Sequence, residues 1–172
     1  MPNGGLAAVF KIANSVTMKP NEIKTLAVSD AIMDAVASVI KAELVYQCAT
    51  NCGRKFGITG EVGEILVCRA LDLKMVENPR SEGFDAVDTK GRCVQIKTRR
   101  GESGDLPKDG GRLSRFSAHE CNYALLGILN NEYKLVEVWK ADFVKLKPII
   151  LKHKRANPTI RQFKTIGVQV YP

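Results

Sequence analysis

Apolar and polar residues alternate in two short runs, Phe84 to Thr89 and Cys93 to Thr98, around a Lys90-Gly91-Arg92 turn. Alternation with a period of two predicts strands, and the pair predicts an antiparallel hairpin. Directly opposed residues of a hairpin share a face. With a three-residue loop, Thr89 opposes Cys93, Val87 opposes Gln95, and Asp85 opposes Lys97. Asp85, Gln95 and Lys97 then make one polar face, while Ala86, Val94 and Ile96 make an apolar one. A two-residue loop would set Asp85 against Ile96 and scatter the polar groups. The three-residue loop is therefore expected, with Gly91 taking a left-handed conformation.

The flanking pattern predicts the rest of the fold. After a Ser29-Asp30 start, Ile32, Met33, Val36, Val39, Ile40, Leu44 and Val45 recur at helical spacing, to about Gln47. Thr59 is the expected N-cap of a second helix with Glu61 and Glu64 in its early turns, and Ile65 to Leu73 make that helix apolar on more than one face. Residues 101–115 contain four glycines and a proline, which predicts a long mobile loop. Tyr123 to Leu129 and Tyr133 to Trp139 predict a second hairpin, with a phase shift near Val136. Ala141 to Leu151 predicts a helix that Pro148 should kink or end. Gly167 to Tyr171 predicts a last strand. Residues 1–25 show no firm pattern and read as an arm, and residues 26–172 read as a single domain. The order helix, hairpin, hairpin, helix predicts an α/β (α+β) domain, a mixed central β-sheet flanked by helices.

Composition narrows the class. A chain of 172 residues with 45% apolar content is long enough for one domain with a sizeable core. Its longest apolar runs fall well short of the roughly 20 residues a bilayer span needs, and no signal-peptide pattern opens the chain. A soluble cytoplasmic protein is expected. The five cysteines form no disulfide framework and read as free thiols, with Cys48 and Cys52 as small buried residues. His119 reads as a surface histidine, and Tyr133 and Trp139 as core or rim aromatics.

The net charge of +8 is unevenly spread. Residues 140–164 hold eight Lys/Arg against one acidic residue, and residues 90–115 hold eight against three. Such clusters suit a polyanion. Arg99, Arg100, Lys108, Arg112, Arg115, Lys152, Lys154 and Arg155 are the candidate nucleic-acid contacts.

The polar face of the first hairpin supplies the candidate chemistry. Asp85 is a hard oxygen donor of the kind Mg²⁺ prefers, Gln95 offers a carbonyl oxygen, and the backbone carbonyl of Ile96 is a further donor. Lys97 can act on an attacking water and offset charge developing on a phosphoryl group. Glu64 can support the metal from the upstream helix, with Glu61, three residues earlier, as its rival. Asp88 reads as a turn residue. The set suits metal-assisted phosphodiester hydrolysis.

Gly60-Glu61-Val62-Gly63-Glu64, then Gly83-Phe84-Asp85, then Gln95-Ile96-Lys97 resembles the PD-(D/E)XK nuclease superfamily, most of all its small stand-alone phage and bacterial members. The likeness spans residues 58 to 150. Phe84 stands where the motif has proline, and Gln95 where it has Glu or Asp. The resemblance implies a restriction-endonuclease-like fold and a DNA endonuclease using Mg²⁺ or Mn²⁺. It also implies action in the cytoplasm of a bacterium or phage-infected host, and a homodimer, which rests on the resemblance only. The alternatives are a nuclease-fold module that binds nucleic acid without cutting it, favoured by Gln95, and a protein-interaction subunit of a phage or defence system.

Overall fold

The computed structural model describes residues 23–51, 54–78, 83–102, 105–117, 121–152 and 154–172. The arm up to residue 22, Cys52 and His119 lie outside the described residues.

Among the described residues, seven strands form one sheet in chain order: β1 (Thr25–Ala27), β2 (Lys74–Val76), β3 (Ala86–Val87), β4 (Cys93–Arg100), β5 (Tyr123–Leu129), β6 (Leu135–Asp142) and β7 (Val168–Tyr171). Every neighbouring pair is antiparallel except β4 and β5, which run parallel. Among the described residues, four helices flank the sheet: α1 (Asp30–Ala49), α2 (Thr59–Ala70), α3 (Phe143–Leu151) and α4 (Ile160–Ile166). This is the mixed sheet with flanking helices that the pattern predicts.

The central strand β5 is buried at all seven positions, as its unbroken apolar run requires, because both faces of the sheet are covered. One core packs Val62, Ile65 and Val67 of α2 against Val94, Ile96 and Leu125. The other packs Leu126 and Ile128 against Leu146, Ile160 and Phe163. The first helix differs from expectation. Its buried residues are Val36, Glu43 and Gln47, while Val39 and Val45 are exposed. The helix is turned so that two polar residues, rather than the full apolar set, face inward.

The first hairpin is corrected in register. Val87 opposes Cys93 and Ala86 opposes Val94, so the loop is the five residues from Asp88 to Arg92. Asp88 builds that loop. Its Oδ1 accepts the Lys90 and Arg92 backbone N–H groups at 2.9 Å each, and its Oδ2 accepts Arg92 Nε at 2.7 Å. Sequence pattern alone underweights such side-chain-built turns. These bonds hold the Asp88 carboxyl below its usual range despite some burial. Gly91 takes φ of 73°, the left-handed conformation expected of it. The shift relative to the expected register is two residues, an even number, so Asp85, Gln95 and Lys97 still share a face.

Further elements depart from expectation. Thr59 is the first residue of α2 rather than its cap, and Ile58 occupies the cap position. β1, β2 and α4 are additional elements, and β1 includes Thr25, the last residue of the expected arm. The glycine-rich loop is pinned over much of its length. Leu113 and Phe116 are buried in the second core, and the backbone around them bonds to residues 156–161. Leu113 N–H donates to Pro158 O at 2.9 Å, Phe116 N–H to Ala156 O at 3.0 Å, and Ile160 N–H to Gly111 O at 2.9 Å. The phase shift near Val136 is a bulge, where Ile128 pairs with Glu137 and Leu129 with Leu135.

Candidate active site

Helix α2 lies close against β4 where Gly63 meets Thr98. A Cβ on Gly63 would fall 2.5 Å from Thr98 Cγ2, so only glycine permits this approach. Thr98 Oγ1 also donates to Thr59 O at 3.1 Å. Glu64, the next residue of the helix, is thereby held beside the strand that carries Gln95 and Lys97.

Asp85 sits one residue before β3. Its N–H donates to Val94 O at 2.9 Å, and its carboxylate Oδ2 accepts the Ile96 N–H at 2.6 Å. The side chain thus takes the place of a backbone partner where the strands end their pairing. Burial raises its carboxyl above the usual range. The Ile96 N–H and Lys97 pull it down, and Glu61 pushes it up.

Glu64 is more strongly perturbed. Burial raises its carboxyl from 4.5 to about 8, with further upward push from Asp85 and Glu61 and a downward pull from Lys97. Glu61, Asp85 and Lys97 therefore act on Glu64, and Glu61 and Lys97 on Asp85, across α2, β4 and the turn before β3. Lys97 is half-buried, its Nζ 5.7 Å from the centre of the Phe116 ring.

Gln95 lies on the expected face but is only 1% exposed. Its Nε2 donates to Gly83 O at 3.1 Å, and its Oε1 accepts the Ser117 N–H at 3.3 Å. Ile96 buries its side chain in the first core and gives its N–H to Asp85.

The cationic residues are placed differently. Lys108, Arg112, Arg115, Lys152, Lys154 and Arg155 are exposed, and Arg112 also donates to Asn157 O at 3.2 Å. The pairing of residues 109–117 with 156–161 joins these two basic stretches into one surface. Arg99 donates to the Arg112 carbonyl. Arg100 is not brought to that surface. Its guanidinium lies 4.2 Å from the Tyr133 ring centre, on the face of β4 opposite Lys97. Lys164 is paired with Glu137 at 2.8 Å.

The sequence reading gave no role to Glu43, which is fully buried. It accepts from Phe56 N–H at 2.8 Å and from Tyr133 Oη at 3.4 Å, and Gln47 Nε2 donates to it as well. The Glu43/Gln47 spacing of four on an otherwise apolar helix face is the signal that marks it. A cavity of about 1150 Å³ at the other end of the hairpin is lined by Arg69, Asp88, Arg92 and Cys93 among others, and by none of the four candidate site residues.

Comparison with protein-family models and with curated proteins finds no match to this chain. The site therefore rests on its own chemistry. Among the described residues, no group of three or more His, Cys, Asp or Glu side chains is arranged to hold a metal ion. Glu64 and Asp85 are nevertheless two hard oxygen donors, each raised by burial and by neighbouring negative charge. A divalent cation fits that donor chemistry, since Mg²⁺ commonly takes one or two carboxylates and keeps several waters. Among the described residues no helix is long and apolar enough to cross a membrane.

Proposed function

We propose that this chain is a metal-dependent DNA endonuclease of the PD-(D/E)XK kind, acting in the cytoplasm of a bacterium or phage-infected host. Asp85 and Glu64, with the Ile96 backbone carbonyl, would hold Mg²⁺ or Mn²⁺. The ion would supply Lewis acidity toward a phosphoryl oxygen. Lys97, lying in the field of both carboxylates, orients the attacking water and offsets charge developing on the scissile phosphate. Asp85 is aimed by its bond to the Ile96 N–H, and Glu64 by the Gly63–Thr98 contact. The joined basic surface of residues 108–115 and 152–155 holds the phosphate backbone, with affinity that falls as salt rises. The observation that carries this reading is the Asp85 carboxylate bonded to the Ile96 N–H, between Gln95 and Lys97, with the Glu64 carboxyl raised by burial and by Asp85.

A second reading, a nucleic-acid-binding module without cleavage, is favoured by Gln95, whose amide nitrogen and oxygen both bond to backbone groups. Plasmid nicking with Mg²⁺ or Mn²⁺ separates the two. Wild type should nick, and Lys97→Ala and Asp85→Ala should not. Nicking undiminished in both variants would reject this site. DNA binding by wild type without nicking would select the second reading.

A further inference from the structure

We propose that Gln95 is a positioning residue, whose amide fastens the Asp85-bearing turn and the basic 109–117 segment to strand β4, rather than a metal ligand. The inference rests on the nuclease reading only for what the fastened parts are for.

Gln95 is almost fully buried, and its two polar atoms have partners of opposite kind. Nε2 needs an acceptor and meets Gly83 O. Oε1 needs a donor and meets the Ser117 N–H. Gly83 takes φ of 76° two residues before Asp85, so the bond to its carbonyl holds the turn from which the carboxylate is presented. Ser117 closes the segment that carries Arg112 and Arg115. The same segment places Phe116 beneath Lys97, and it is zipped to residues 156–161 through Phe116 and Leu113. One side chain thus ties together the carboxylate, the lysine strand and the phosphate-gripping surface.

The chemistry requires an amide. A carboxylate at this position offers only acceptors. It would face the Gly83 carbonyl with like partial charge, and it would bury a negative charge on the strand position opposite Asp85. The Gln-x-Lys form is then the form the local hydrogen bonding selects, and the missing negative charge is not a defect of the site.

The test compares full-length wild type with Gln95→Glu and Gln95→Met. Duplex DNA affinity is measured by fluorescence anisotropy in EDTA, at matched folded fraction. Amide hydrogen exchange is followed at Ser117 and Asp85, and Mn²⁺ binding by calorimetry. Both variants should lose DNA affinity about tenfold without metal, and exchange at Ser117 should accelerate by a similar factor. Gln95→Glu should not bind Mn²⁺ more tightly than wild type. Tighter Mn²⁺ binding by Gln95→Glu, with DNA affinity and Ser117 exchange unchanged, would overturn the proposal and make position 95 a ligand. If Gln95→Glu does not fold, Gln95→Met decides alone, and unchanged Ser117 exchange in it overturns the proposal. If wild type binds no DNA, the nuclease reading fails, while the exchange measurement still reads the fastening.

Discussion

The carboxylate of Asp85 accepts the backbone N–H of Ile96 at 2.6 Å, so the residue between Gln95 and Lys97 aims the aspartate. Charge and aim can therefore be separated. Asp85→Asn keeps an acceptor for Ile96 and removes a charge that burial disfavours, so it should be at least as stable as wild type and yet fail to nick DNA. Asp85→Ala loses the acceptor as well, and should lose about 1.5–3 kcal/mol of stability. Urea unfolding beside plasmid nicking checks both.

Glu64 makes stability depend on pH. Its carboxyl sits near 8 in the folded protein against 4.5 as an ordinary glutamate, so the folded state holds a proton that the unfolded state has released. The stabilisation from the raised value is full below about 4.5 and is lost as pH rises toward about 8. The metal-free protein should therefore unfold at lower urea at the upper end of that window than at the lower, and Glu64→Gln should flatten the trend.

Gly63→Ala would drive a methyl group into Thr98 and push α2 off β4. Overpacking of this kind costs about 1–3 kcal/mol. An added Cβ on Gly60, in the same helix, meets nothing within 4 Å, and Gly60→Ala should be neutral or stabilise by about 0.5–1 kcal/mol. Thermal unfolding of the pair distinguishes close packing from helix propensity.

Glu43→Ala would leave Gln47, the Phe56 N–H and the Tyr133 hydroxyl without their shared acceptor in a buried site. The loss should be on the order of 3 kcal/mol. Denaturant unfolding measures it, and a variant of wild-type stability would show that the cluster is dispensable.

The joined basic surface should be visible in salt dependence. Replacing Arg115, Lys154 and Arg155 together with alanine should reduce the slope of log affinity against log salt by about 2.7, at roughly 0.9 per phosphate contact. Arg100→Ala should leave that slope unchanged, because its guanidinium packs on Tyr133.

The hairpins, α1, α2 and α3 were legible because their apolar periods are long enough to declare themselves. Asp85, Gln95 and Lys97 fell on one face even though the loop length was misjudged, since a slip of two preserves parity. What escaped the pattern had a local cause. β1 and β2 are three residues each, too short to show a period. α4 was hidden by basic residues, although Thr159 and Gln162 form a capping box that its sequence spells out. The two partners of the Gln95 amide were illegible for a different reason. Both are backbone groups, and a side-chain pattern carries no trace of them.

The parallel pairing of β4 and β5 has a consequence for how the molecule is made. A parallel pair needs a return crossing, and the described residues of that crossing, within 101–122, contain no helix. Residues 156–161 bond instead to Asp109, Gly111, Leu113 and Phe116 of that crossing. On the ribosome, the stretch from Asp109 to Phe116 lacks these partners until those residues emerge. The basic surface and the second core should thus form together, as a late and non-local event in folding.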